Sequence, residues 1–216
     1  TNITPAQPHR NVAYERFTDS GPVALLPMTE QRCAVVWTVR DEQLESVLAL
    51  DDDAFLAAFQ QRFGYRLGRF LRTGKRAAYP LSLLRARESV RGRVAVIGNA
   101  AHTLHPIAGQ GFNLGIRDVA ALAEVVDDAF RAGRDIGAAE TLAVYESWRL
   151  AEQRNVALAT DGLARLFSNP LAAVRLGRNL GLLAMEFLPG AKHPLARAAM
   201  GMLGRQPRLG RGVPLD

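Results

Sequence analysis

The reading of this chain turns on Arg93-Val-Ala-Val-Ile-Gly-Asn-Ala-Ala-His-Thr-Leu-His-Pro-Ile-Ala-Gly-Gln-Gly-Phe-Asn-Leu-Gly-Ile-Arg-Asp118. The β-branched run Val94 to Ile97 predicts a short buried strand that ends at Gly98-Asn99. A loop follows, and Gly109-Gln110-Gly111 opens a helix. A strand end, a glycine loop and a helix N-terminus together aim backbone N–H groups at one spot, which suits an electron-rich ligand. No G-x-G-x-x-G fingerprint follows any strand. The nearest match, Gly109-x-Gly111-x-x-x-Gly115, is one residue too long. A nucleotide cofactor held here would need half of its site from outside the chain. A P-loop is excluded as well, because no Gly-Lys-Ser/Thr follows.

Outward from this stretch, the pattern changes period. Val12 to Phe17, Val23 to Pro27 and Cys33 to Val39 predict antiparallel strands, with turns at Thr18-Asp-Ser-Gly21 and Thr29-Glu-Gln-Arg32. Asp51, Asp52 and Asp53 precede a helix carrying Phe55, Leu56, Phe59 and Phe63, and Gly64 ends it. A strand is expected over Ala77 to Leu83 and a turn over Glu88 to Gly92. The helix opened by Gly111 stops at Gly133. A long helix runs from near Ala138 to Ser168, where Asn169-Pro170 breaks it. Leu171 to Phe187 and Pro194 to Leu203 predict shorter helices. Gln206 to Asp216, rich in Gly, Pro and Arg, predicts a loose tail.

Composition narrows the classes. With 216 residues, 48% of them apolar and 22% charged, the chain can bury a substantial core. No twenty-residue apolar run offers a transmembrane helix. The polar Thr1 to Arg10 does not resemble a signal peptide. A single cysteine, Cys33, rules out a disulfide framework and fits a reducing cytoplasm. The net charge of +6 is concentrated: from Arg165 onward eight basic residues stand against Glu186 and Asp216. Few aromatics interleave with them, which disfavours nucleic acid. Leucines do interleave, so an anionic membrane surface and an ordinary solvated helix face both remain open. His102 and His105 have metal-like spacing, but no third ligand lies near and Pro106 follows, so structural roles are expected. Asp118, after Arg117, is expected in a packing or surface pair. Trp148, Arg149 and Arg154 are expected to form a helix face pairing with Glu146 and Glu152.

Gly98-Asn-Ala-Ala-His102, Pro106, Gly109-Gln-Gly-Phe-Asn-Leu-Gly115 and Asp118 together resemble the second flavin motif of class A FAD-dependent aromatic hydroxylases. Asn99, where most members have Asp, and Thr103-Leu-His-Pro-Ile-Ala108 resemble the ubiquinone-biosynthesis group, the 2-polyprenyl-6-methoxyphenol hydroxylases. Glu15-Arg-Phe-Thr18, Gly21 to Pro27, Tyr79-Pro-Leu81, Thr160 to Leu163 and Leu166-Phe167 extend the likeness. Members are roughly twice as long, and the chain begins without Met, so it reads as the C-terminal half of such an enzyme.

The resemblance implies a mixed α+β and α/β fold, half of a two-domain monooxygenase. Its parts would be an antiparallel substrate-domain sheet (1–92), a flavin-contacting strand–loop–helix (93–135), C-terminal helices (136–205) and the tail (206–216). The amino-terminal Rossmann-like βαβ portion would be absent. It implies FAD as cofactor, NAD(P)H as co-substrate and a polyprenyl phenol as substrate. Gly98, Asn99, Pro106, Gly109, Gln110, Gly111, Phe112 and Asn113 would hold the cofactor, and Tyr79 and Leu81 would line the substrate cavity. One of the two histidines would hydrogen-bond near the flavin edge. Asn99 could pin ribityl hydroxyls as donor and acceptor, and Gly109 and Gly111 would let the ring approach the backbone. No residue stands out as a catalytic acid or base. A peripheral position on the inner membrane, a biosynthetic complex and a homo-oligomer are compatible with this. A flavin enzyme for a soluble aromatic, or a non-catalytic accessory component, remains an alternative at this point.

Overall fold

The computed structural model describes residues 1–82, 84–104, 109–202 and 204–215. The chain forms two compact units, Thr1–Pro80 with Ala164–Arg178, and Leu81–Leu163 with Asn179–Asp216. The first boundary thus falls at Pro80 rather than at Gly92.

The first unit is built on an antiparallel sheet of five strands: β1 (Asn2–Pro5), β2 (Tyr14–Thr18), β3 (Gly21–Pro27), β4 (Cys33–Trp37) and β5 (Phe70–Thr73), in the order β2-β3-β4-β1-β5. Alternate residues Val23 and Leu25 on β3, and Cys33 and Val35 on β4, are buried, as the period of two requires. They meet helix α2 (Asp52–Phe63), whose Phe55, Phe59 and Phe63 recur every four residues and stack along one face. Burial raises the pKa of the Cys33 thiol, which has no disulfide partner.

Asp51 caps α2 by accepting from the Ala54 amide at 2.7 Å, and Arg16 donates to the Phe63 carbonyl at the other end. Gln60, buried among the phenylalanines, donates to the Gly64 and Gly68 carbonyls and accepts from the Phe70 amide. It therefore fixes the helix end, the following loop and β5 to one another. Phe17 on β2 stacks on Phe167 at 4.1 Å, and Arg178 lies over the Phe167 ring.

Several expectations need correction here. β1 and β5 join the sheet unforeseen, each being only four residues long. Helix α1 (Asp41–Leu48) was not expected either; it buries no residue fully and turns only Leu44 and Val47 half inward. Residues 77–82 form no strand: Tyr79 is 79% exposed, and Pro80 cannot donate to a ladder.

In the second unit short strands surround the stretch that opened this reading. β6 (Leu84–Arg85) pairs with β9 (His102–Thr103), and β7 (Val90–Arg91) with β8 (Val94–Ala95). Val94 is 61% exposed, so the expected buried strand is a two-residue hairpin arm instead. Helix α3 (Gln110–Arg131) and helix α4 (Ala139–Ser168) supply a core of Ala121, Val125 and Tyr145, on which Ile97 and Trp148 pack.

Helix α5 covers Ala172–Phe187. Helix α6 covers Pro189–Ala199 and begins with Pro189 in its first turn, not at Pro194. The tail is not loose. Buried Glu124 accepts from the Arg208 amide at 2.6 Å and pairs with the Arg205 guanidinium; Pro207 is fully buried, and Arg208 also reaches Asp127 and Asp128.

Replacing Gln60 by Leu should cost about 2–3 kcal/mol, since it strands a buried amide and two carbonyls. Replacing Asp51 by Ala should cost about 1 kcal/mol, the usual loss of one cap. Urea denaturation of the two variants checks the order.

Candidate functional site

The backbone after Ile97 folds as a 3₁₀ turn, Gly98–Ala100, with the Ala101 amide bonded to the Gly98 carbonyl. Gly98 has φ +61, a left-handed value that glycine adopts without strain. Thr103 Oγ1 donates to the Asn99 carbonyl, tying the turn to β9 and leaving the Asn99 residue exposed.

At the far end of the loop, Gly109 also has φ +61 and serves as the N-cap of α3. No side chain caps that end, and its first turn holds no acidic residue. The leading N–H groups and the positive end of the dipole are therefore not neutralised by capping. Among the described residues, a Cβ built on Gly98, Gly109 or Gly111 would meet no heavy atom within 4 Å. At Gly115 it would lie 3.4 Å from Gly98 Cα, so that glycine lets α3 press against the turn.

These contacts bring Gly98, Asn99, Gly109, Gln110, Gly111, Phe112 and Asn113 onto one turn-and-helix-start element. Phe112 is 77% exposed, Asn113 is exposed with its carbonyl accepting from Arg117 Nε, and Gln110 is half-buried. Pro106 and His105 lie outside the described residues. Tyr79 and Leu81 are exposed and outside any strand, so the sheet does not carry them as expected.

What the sequence reading missed lies beneath the glycines. Asp118 is wholly buried, neither a surface residue nor the partner of Arg117, which pairs with Glu152. Its Oδ2 faces His102 Nε2 at 2.5 Å and the Gly98 amide at 3.3 Å; its Oδ1 accepts from Arg149 Nε at 2.8 Å and Gln153 Nε2 at 3.1 Å. Burial alone would raise this carboxyl's pKa. The hydrogen bonds from His102, Arg149 and Gln153, with the Arg149 charge, outweigh burial and hold it below the ordinary carboxylate value.

Arg149 is wholly buried too and reaches Glu152 as expected, while Glu146 turns instead to Ser89. Trp148 lies under the Arg205 guanidinium. Burial, and then the Asp118 charge, push the Tyr145 hydroxyl well above its usual range. The signal was available: Asp118 falls on the same face of α3 as Leu114, Ala121 and Val125, at spacings of four, three and seven. An acid in an apolar stripe has to find a buried partner.

The ubiquinone hydroxylase UbiL of Rhodospirillum rubrum is 45% identical over 210 residues, which cover 96% of this chain and 49% of that protein. The human mitochondrial ubiquinone biosynthesis monooxygenase COQ6 is 33% identical, over 86% of this chain and 47% of its own length. The chain thus spans about half the length of the curated relatives it matches. Among solved structures, Pseudomonas aeruginosa PqsL in complex with 2-aminobenzoylacetate superposes with a TM-score of 0.62 at 24% identity, over 78% of this chain and 47% of that one. At that identity the likeness speaks for the fold alone. A model of the FAD binding domain matches residues 2–158, and the chain belongs to that family.

Proposed function

We propose that the full-length protein uses FAD, NAD(P)H and O₂ to hydroxylate the ring of a polyprenylated phenol in ubiquinone biosynthesis. The observation that carries the flavin reading is the bare backbone at Gly98, Gly109 and Gly111, where added side chains would meet no described residue within 4 Å, beside a helix start that no described side chain caps. The substrate reading is supported by the names of the relatives UbiL and COQ6. Bound FAD, once reduced by NAD(P)H, supplies the activation of O₂ that puts one oxygen on the ring while the other leaves as water.

The residues present fit that cofactor. Asn99, exposed at the end of the 3₁₀ turn, offers a donor and an acceptor to ribityl hydroxyls. The amides at the start of α3 and the helix dipole would stabilise negative charge on the reduced ring. Gly109 and Gly111 would admit the ring to van der Waals distance of the backbone. Asp118 would act one step behind, as a positioning residue: it holds the Gly98 amide and His102, hence both sides of the turn. No side chain is assigned as acid or base. A phenol substrate with a polyprenyl tail resides in lipid, so the protein would work at a membrane surface.

Gly111→Leu should not destabilise the chain, because a side chain there meets no described residue and leucine suits a helical turn better than glycine does. In the full-length protein it should weaken FAD binding at least about a hundredfold, the effect of filling a close approach with a side chain. Fluorescence titration with FAD reads this, and unaltered affinity would remove Gly111 from the site.

Asp118→Asn should destabilise by about 3 kcal/mol, since Arg149 keeps a buried charge with less compensation. Exposed Arg154→Ala should change stability by no more than about 0.5 kcal/mol. The Asp118 pKa is lowered on folding, so its contribution is complete above the ordinary carboxylate range and is lost as pH falls through the lowered value. Between mildly acidic and strongly acidic solution the wild type should therefore lose stability more steeply than Asp118→Asn, as measured by denaturant midpoints.

A further inference from the structure

Four charges of alternating sign link α3 to α4. The chain neighbours Arg117 and Asp118 supply two of them; Arg149 and Glu152, three residues apart on α4, supply the others. Arg117 Nη1 lies 2.5 Å from Glu152 Oε1, Glu152 Oε2 pairs with Arg149, and Arg149 Nε donates to Asp118 at 2.8 Å. The backbone between Arg117 and Asp118 closes the ring. Its formal charges cancel, which lets all four side chains stay at most 19% exposed.

The two corners on α3 reach different halves of the candidate cofactor site. Asp118 holds the Gly98 amide and His102. Arg117 points back along its helix, as helical side chains do, and its Nε donates to the Asn113 carbonyl at 3.2 Å. Packing fixes that first turn weakly. Phe112 and Asn113 are exposed, and Gly109 caps the helix without a side-chain bond. Arg117 itself is confined. Beyond Glu152 it lies against buried Gly201, just past the end of α6, where an added Cβ would overlap the guanidinium.

We propose that Arg117 is a positioning residue for the cofactor site, holding the first turn of α3 in register with the Gly98 turn. Its own place is set by Glu152 and Gly201. Lysine could keep a charge toward Glu152, but it lacks the fork that reaches Asn113 and Glu152 together. The effect of Arg117 on FAD rests on the flavin reading; its effect on α3 does not.

Three variants of the full-length protein test this: Arg117→Gln, Arg117→Lys, and Arg117→Gln combined with Glu152→Gln. Arg117→Gln should weaken FAD binding about tenfold in a fluorescence titration, as a coupling carried by one polar contact does, and Arg117→Lys nearly as much. Arg117→Gln should also lower the denaturant midpoint, because Glu152 loses its partner. In the double variant the remaining charges of Arg149 and Asp118 cancel, so most of that midpoint should return. FAD affinity should nevertheless stay about tenfold low, since the tie to Asn113 is still missing. Without FAD, amide exchange at Leu114 to Arg117, the first amides bonded back into α3, should be about tenfold faster in the double variant, with Val125 unchanged. Affinity that returns together with stability would overturn the proposal, and so would first-turn exchange that matches the wild type. A wild type that binds no FAD, with exchange accelerated as described, would refute the flavin reading alone and uphold the place of Arg117 in the turn.

Discussion

One buried carboxylate organises the second unit. Asp118 on α3 gathers a ring nitrogen from β9, an amide from the 3₁₀ turn and two side-chain donors from α4. Burying Asp118 and Arg149 at zero exposure would be strongly unfavourable for either alone. It becomes tolerable because both carboxylate oxygens have partners and because Arg149 also reaches Glu152. The apolar contacts of Ala121, Val125 and Tyr145 could be met by several registers of α3 against α4. Directional bonds to Asp118 are met by one. Register at Asp118 in turn sets where Gly109 and Gly111 come to lie, nine and seven residues earlier at the start of the same helix. The glycines can stay bare because the polar anchor, not their neighbours, positions them.

The glycines divide into three kinds by what their backbone and surroundings require. Gly115 is bare because Gly98 Cα lies where its Cβ would press. Gly98 and Gly109 need left-handed backbone, and Gly111 needs neither, having ordinary helical geometry with open space beside it. Alanine at Gly111 would suit a first helical turn better than glycine does. A residue that costs helix stability and avoids no clash with any described residue is one whose reason lies in something that approaches it. On the proposed reading that is the flavin ring.

The sequence disclosed those elements whose cause is local. The α2 helix announces itself through a cap at Asp51 and phenylalanines every fourth residue; β3 and β4 through alternation; the start and stop of α3 through Gly109 and Gly133. Elements whose cause is a distant partner stayed hidden. β1 is a strand because it lies between β4 and β5, and β5 because it pairs with β1, not because of their own composition. Residues 77–82 fail in the opposite sense, having strand-like residues and no edge to join. The tail reads as disordered from its Gly, Pro and Arg content. Its order comes from Glu124, some eighty residues earlier, which accepts from the backbone and the guanidinium groups that follow. The candidate site was half legible for the same reason: its glycines lie in one short string, whereas Arg149 and Gln153 reach it from another helix.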